Sequence, residues 1–418
     1  MSEGLTHLVR AAGAAANAGR WDEAERLWTQ VRQRDPNHPD ALYSLGVHAF
    51  QRGHLAGAID LLVQAADAAP NNPTVRLTLS VAYGEKGDAD AEWAAITAAL
   101  MINPYFLPGL LAKAEWLERR GQIKPAAEVY GHVLKIAPIH WPDHLKGQLT
   151  HARKILDQHQ QAFAAHLERQ LNLPLAAIPE ARASRWSEAA AIMVGRSEAY
   201  PSQSNQLSVP RLPAIPFFDR EQFAWAEAIE AQTDTIRTEL LGVLAHDRQD
   251  FAPYIAYRPG DPVNQWAELN HSDRWSTYSL WRHGVPDQDH LSRCPKTVAA
   301  LNEAELVHMD GICPNVMFST LAPRTHIPPH HGETNARLVV HLPLIVPDHC
   351  QFRVGFEHRT WRVGELLIFD DTIEHEARND SDQLRVVLIF DIWNPDLTAE
   401  ERELVSVMMA AKNEFMAR

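Results

Sequence analysis

The stretch His326-Ile327-Pro328-Pro329-His330-His331-Gly332-Glu333-Thr334-Asn335-Ala336-Arg337-Leu338-Val339-Val340-His341-Leu342 joins a proline-marked turn to a continuous apolar run. A short apolar run bounded by turn residues predicts a buried strand, with His330 in the turn before it. Similar runs occur at 316–321, 337–346, 351–356, 366–369 and 384–393, separated by Pro, Gly, Asp and Asn. Many short strands at this spacing predict an antiparallel sandwich or barrel of the jelly-roll kind. One helix is expected over 220–245, ahead of the strands.

His375 follows the acidic turn Asp370-Asp371, 45 residues after His330, and Arg385 stands ten residues further on the last strong strand. In a small β-barrel, two histidines from different strands can meet at the mouth with an arginine projecting inward behind them. Two neutral imidazoles suit Fe(II), and open positions permit chemistry on a bound substrate. The arginine fork suits a carboxylate, because it makes two charge-assisted bonds. Spacing alone carries little weight here, since the chain holds 22 histidines.

Three ordered blocks add weight. The opening stretch is followed by Trp361-Arg-Val-Gly364-Glu-Leu-Leu-Ile-Phe369-Asp370-Asp371-Thr-Ile-Glu374-His375-Glu376, and then by Arg385-Val-Val-Leu-Ile-Phe-Asp391-Ile-Trp393-Asn-Pro395-Asp396-Leu397. Together with an entry segment at 212–219, they resemble the aspartyl/asparaginyl β-hydroxylase family over roughly 207–398. The resemblance implies a double-stranded β-helix (jelly-roll, cupin-like) and an Fe(II)/2-oxoglutarate-dependent dioxygenase. Such an enzyme uses O2 to hydroxylate an unactivated C–H, leaving succinate and CO2. It implies His330 and His375 as iron ligands, and Gly332 where most of the wider superfamily carries a ligating carboxylate. Arg385 and Ser319 would hold the distal carboxylate of 2-oxoglutarate, and His341 would contact its chelating end. Val339 departs from the pattern, because some relatives have Arg there; Arg337 matches another family Arg and is the candidate contact for a substrate anion. His331 is expected to face away from His330, and His326 reads as a turn residue. Asp370 and Asp371 read as turn formers that orient His375. Trp275, Tyr278, Trp361 and Trp393 read as packing residues.

Upstream, the chain is periodic. Pro36, Pro70, Pro104 and Pro138 lie 34 residues apart, as do Gly19, Gly53, Gly87 and Gly121. Ala24, Ala58 and Ala126 keep the register, with Glu92 the exception. Gly tolerates a tight turn and Pro cannot continue a helix, so each unit predicts two helices separated by Gly and closed by Pro. This pattern resembles the tetratricopeptide repeat and predicts an α-helical solenoid, whose kind commonly binds a peptide or protein. The organisation expected is a repeat array at 1–150, a helical extension and Pro-rich linker at 151–206, and the catalytic domain at 207–418.

Composition narrows the functions. With 39 Lys+Arg against 53 Asp+Glu the net charge is −14, which disfavours gripping a phosphate backbone, so no nucleic-acid partner is expected. Three cysteines exclude a disulfide framework and a four-cysteine zinc site. No stretch is apolar enough to span a bilayer and the N-terminus does not read as an export signal, so the expected location is the cytoplasm, without stable membrane insertion. The expected substrate is the β-carbon of Asp or Asn in a protein or peptide, presented by the repeats. Competing readings are hydroxylation of lipid A-type acyl chains, halogenation on the same site, and a non-catalytic scaffold with an inactive β domain.

Overall fold

The computed structural model describes residues 3–416, without the side chains of 180–182, and divides them into two compact units that meet at Arg196/Ser197. The first unit is helical. Four hairpins, Glu3–Asn17 with Trp21–Arg34, Pro39–Gln51 with Leu55–Ala68, Pro73–Lys86 with Ala89–Ile102, and Leu107–Arg119 with Ile123–Ile136, realise the 34-residue period. The glycine of every hairpin turn has φ between 71° and 79°, the left-handed conformation that a Cβ penalises. Ala24, Ala58 and Ala126 are fully buried where paired helices approach. The exception is explained by its neighbours: Glu92 packs beside Gly84 and forms an ion pair with Arg119. The helical extension begins earlier than expected. Helix Asp143–Ala176 puts Leu149, Ala152 and Ile155 into one core with Tyr130 and Val133, so it continues the solenoid and is followed by Glu180–Met193.

The second unit is built from strands β1 (Phe217–Phe218), β2 (Ala252–Pro253), β3 (Trp275–Arg282), β4 (Val285–Pro286), β5 (Val316–Leu321), β6 (Thr325–His330), β7 (Arg337–Ile345), β8 (Cys350–Val354), β9 (Glu357–Arg359), β10 (Leu367–Phe369), β11 (His375–Asn379) and β12 (Arg385–Trp393). Among the described residues they form an antiparallel sheet of order β1-β10-β7-β12-β5-β3-β2, with β4 on β3, and a second of order β6-β11-β8-β9. Following the chain from β5 to β12, the strands pass back and forth between the sheets, which is the connectivity of a double-stranded β-helix. One core, including Phe318, Val340, Leu388 and Phe390, lies on the helix-covered side of the larger sheet. Another, including Val339, Phe352, Phe369 and Val387, lies between the sheets.

Three local expectations change. The segment from 197 onward belongs to the β unit: Gln203, Asn205 and Gln206 donate backbone N–H bonds to Thr372, Gly332 and Glu333. The helix expected over 220–245 is broken into Arg220–Gln222, Ala226–Glu230 and Thr233–His246. At the second break the Glu230 carboxylate accepts from the Leu366 amide (2.8 Å) and Arg220 (2.9 Å), which ties the turn to the sheet. His330 lies at the end of a strand rather than in a turn, and β6 tolerates Pro328-Pro329 because it is an edge strand.

Candidate active site

The inter-sheet cavity, about 450 Å³ in volume, collects residues from both sheets. His330 and His375 are direct cross-strand partners of β6 and β11, and their ring centroids are 4.0 Å apart. Each Nδ1 faces a carbonyl oxygen of its own chain turn, Pro328 at 2.8 Å and Ile373 at 3.1 Å. Those oxygens can only accept, so Nδ1 carries the proton and each Nε2 presents a lone pair. Burial holds both rings neutral: it lowers the His330 pKa to about 4 and, with His330 as neighbour, takes His375 well below the ordinary value. Two neutral imidazoles with spare lone pairs are a donor set that fits a divalent transition metal. Among the described residues no group of three or more His, Cys, Asp or Glu is arranged to hold an ion.

Strand alternation places Arg337, Val339 and His341 of β7 on the cavity face together. Arg385 and Ser319 stand on the adjacent strands β12 and β5. Arg385 is only 2% exposed, and its guanidinium lies 4.7 Å from the Trp361 ring centroid. Its Nη1 reaches the Ser319 carbonyl at 3.4 Å, while Nε has no hydrogen-bond partner among the described residues. Burial pulls its pKa down to about 10. A cation held dry without a counter-ion is costly, and a bound anion would offset that cost. His341 sits beside it, its pKa pushed well down by burial and then by the Arg385 charge.

Arg337 has the opposite surroundings. Its guanidinium meets Asp371 at 3.1 Å, Asp391 at 3.5 Å and Glu333 at 3.7 Å. Burial would depress its pKa, but these carboxylates raise it well above normal. Burial dominates at Asp371 and lifts its carboxyl to about 7 despite Arg337. His375 Nδ1 is held by the Ile373 carbonyl, while the 3.1 Å contact makes Arg337 the partner of Asp371. Its carboxyl also lies where a Cβ on Gly332 would be, so a side chain at 332 and the present Asp371 position exclude each other. Asp370 closes its turn by accepting from the Thr372 amide at 2.9 Å.

The remaining histidines separate cleanly. His331 borders the cavity with Nδ1 3.0 Å from the Thr372 carbonyl, so it does not face away. His326 lies on β6 and bonds Glu376 at 2.7 Å, which Arg353 also grips. The sequence reading did not anticipate β3, whose aromatics Trp275, Tyr278 and Trp281 repeat every third residue. Trp275 faces the inter-sheet core and Tyr278 the helix-covered one, and a register shift between Ser279 and Trp281 brings Trp281 to the side of Tyr278. It also did not anticipate the aromatic wall beside His330. Trp266 meets that ring edge-on at 5.1 Å, and Tyr254 stacks on Trp275 at 4.2 Å.

Residues 230–395 match the family model described as Aspartyl/Asparaginyl beta-hydroxylase, and 9–73 match a Tetratricopeptide repeat model. Among curated proteins, the chain is 32% identical over 205 residues to the Aspartyl/asparaginyl beta-hydroxylase of Mus musculus, covering 48% of this chain and 26% of that one. It is 36% identical over 197 residues to the Ornithine lipid ester-linked acyl 2-hydroxylase of Rhizobium tropici, covering 46% and 66%. It is 31% identical over 208 residues to the human Aspartate beta-hydroxylase domain-containing protein 2, covering 48% and 53%. The chain thus spans about a quarter of the mouse relative and between half and two thirds of the other two. The crystal structure of MamA aligns at 20% identity and TM-score 0.30, over 32% of this chain and 77% of that one.

Proposed function

Starting from a C-terminal domain that belongs to the aspartyl/asparaginyl β-hydroxylase family, with tetratricopeptide repeats before it, we propose that the protein is an Fe(II)/2-oxoglutarate-dependent dioxygenase. Its reaction hydroxylates an unactivated C–H at the expense of 2-oxoglutarate and O2, with succinate and CO2 as coproducts. The observation that carries this reading is the pairing, within one cavity, of two lone-pair-bearing imidazoles and a buried arginine with no carboxylate partner among the described residues. His330 and His375 hold the iron. Arg385 and Ser319 take the distal carboxylate of 2-oxoglutarate, and His341 lies toward its chelating end. Bound iron supplies the oxidising power for C–H cleavage, as redox cofactors do when the protein provides position and field. The chain's share is orientation and dryness: Val339, Phe352 and Phe369 exclude water around the anion, which strengthens every charge-assisted bond made there.

The substrate assigned is the β-carbon of an Asp or Asn residue in a protein or peptide, with the repeat array as the module that captures the polypeptide. Arg337 is the contact for a polar substrate group, acting through a guanidinium whose charge the three carboxylates already offset. An acyl chain is the second reading, and similarity to the ornithine lipid hydroxylase favours it. No helix among the described residues is long and apolar enough to cross a membrane. The deciding experiment is anaerobic titration with Fe(II) and then 2-oxoglutarate, followed by the visible band of the chelated keto acid. The band is expected in the wild type and absent from His330→Ala and His375→Ala. A folded protein that never develops it would return the β domain to the role of scaffold. Succinate release with Asp- or Asn-containing peptides, against release with acyl lipids, then separates the two substrates.

A further inference from the structure

His330, His375 and His341 share one cavity but do not share a tautomer. The first two have Nδ1 against carbonyl oxygens, which fixes the proton on Nδ1. At His341 the partner of Nδ1 is the indole N–H of Trp361, at 3.2 Å. An indole nitrogen only donates, so Nδ1 of His341 must accept and the ring proton of this neutral imidazole lies on Nε2. The same device recurs one wall away. Trp275 donates its indole N–H to the Ser319 hydroxyl oxygen, also at 3.2 Å, which leaves the hydroxyl hydrogen to point elsewhere. Both tryptophans are buried, at 4% and 6% exposure, and both are held by aromatic neighbours: Trp361 stacks on Phe352 and Trp275 on Tyr254. Trp361 also lies under the Arg385 guanidinium.

We propose that Trp275 and Trp361 are positioning residues that set the donor sense of the anion pocket, each filling an acceptor site on a ligand-contacting side chain so that its hydrogen is turned toward the ligand. Ser319 and His341 are ambivalent groups, and a carboxylate binds well only where every facing group donates. With an acceptor site on each filled by indole N–H, Ser319 Oγ–H and the Arg385 fork meet the distal carboxylate as donors, and His341 Nε2–H does the same toward the chelating end. The opposite tautomer at His330 and His375 makes the neighbouring pocket all-acceptor, which suits a cation. This inference rests on the reading of the pocket as the 2-oxoglutarate site, but its tautomer component does not.

The test has two arms. Long-range ¹H–¹⁵N spectra of the metal-free wild type are expected to show His341 protonated on Nε2, and the Trp361→Phe variant is expected to lose that fixed assignment. A wild-type His341 protonated on Nδ1 would overturn the proposal without any variant having to fold. In the second arm, Trp361→Phe and Trp275→Phe keep an aromatic ring and remove the N–H. Each is expected to weaken 2-oxoglutarate binding to the Fe(II)-loaded protein about tenfold, the scale of one hydrogen bond to a charged group, with Fe(II) affinity unchanged. Folded variants that bind 2-oxoglutarate as the wild type does, or that lose Fe(II) equally, overturn the proposal. A wild type that binds Fe(II) but not 2-oxoglutarate defeats the functional reading instead, and leaves the tautomer result to stand by itself.

Discussion

Arg385 and Arg337 lie buried in the same cavity, on the neighbouring strands β12 and β7, yet they are neutralised in opposite ways. Arg337 is enclosed by Asp371, Asp391 and Glu333. Arg385 has an indole face, a backbone carbonyl and an unused Nε. The difference lies in whether the chain itself supplies the counter-charge. A buried charge with its counter-ions in the chain is part of the fold, and removing it strands those counter-ions. A buried charge without them is a cost the folded protein carries until a ligand arrives, so removing it costs the fold little and the ligand much. A conserved-looking pair of arginines in the sequence would not reveal which is which.

The largest effect concerns the histidine pair that the contrast presupposes. His375→Ala is expected to abolish Fe(II) binding and bring succinate formation to background, read by metal analysis and a turnover assay. Next comes Arg337→Met, which leaves three carboxylates facing one another in a dry wall. It should lower unfolding free energy by roughly 3–5 kcal/mol in urea titrations. Arg385→Met should leave the stability of the metal-free protein equal or higher while raising the 2-oxoglutarate requirement about a hundredfold, at unchanged Fe(II) affinity. Equal destabilisation by the two arginine variants would erase the comparison. Gly332→Ala sharpens it from the acid side. The new Cβ must displace the Asp371 carboxyl from its place beside Arg337, at a cost of about 1–3 kcal/mol, and Gly332→Ala combined with Asp371→Gly should recover part of that loss.

The sequence carried these features unevenly, for physical reasons. The repeats were legible because Gly at a left-handed turn and Pro after a helix act locally, and four copies at 34 residues reinforce one another. Strands β5, β7 and β12 were legible because buried strands read as apolar runs. β3 was not, since a bulge breaks its alternation, and β6 was masked by two prolines that only an edge position permits. His330, His375 and Arg385 stood out through the blocks around them. What surrounds Arg337 did not: its partners come from residues 333, 371 and 391, and only the folded domain brings them together. The indole donors were hidden for the same reason, because Trp275 and Trp361 look like packing residues until a register places Ser319 and His341 beneath them.

The smallest expected effect lies in the helical unit, where a carboxylate is anchored without deep burial. Glu118 accepts from the Tyr130 hydroxyl at 2.8 Å and from His151 Nε2 at 2.9 Å. Burial pulls the Glu118 carboxyl up, but the bonds from His151 and Tyr130 outweigh it and hold its pKa below the ordinary value. A depressed carboxyl pKa adds stability above the unfolded value, and that contribution fades as pH falls through the folded one. Tyr130→Phe removes one of the two bonds and should cost about 1 kcal/mol at pH 7. The gap to the wild type should close as the pH drops below the carboxylate range, because protonation then removes in both proteins what the substitution removed in one. Urea midpoints of the variant and the wild type at neutral and acidic pH measure this directly. A gap that stays constant with pH would mean that Tyr130 contributes by packing alone and that its bond to the Glu118 carboxylate adds nothing.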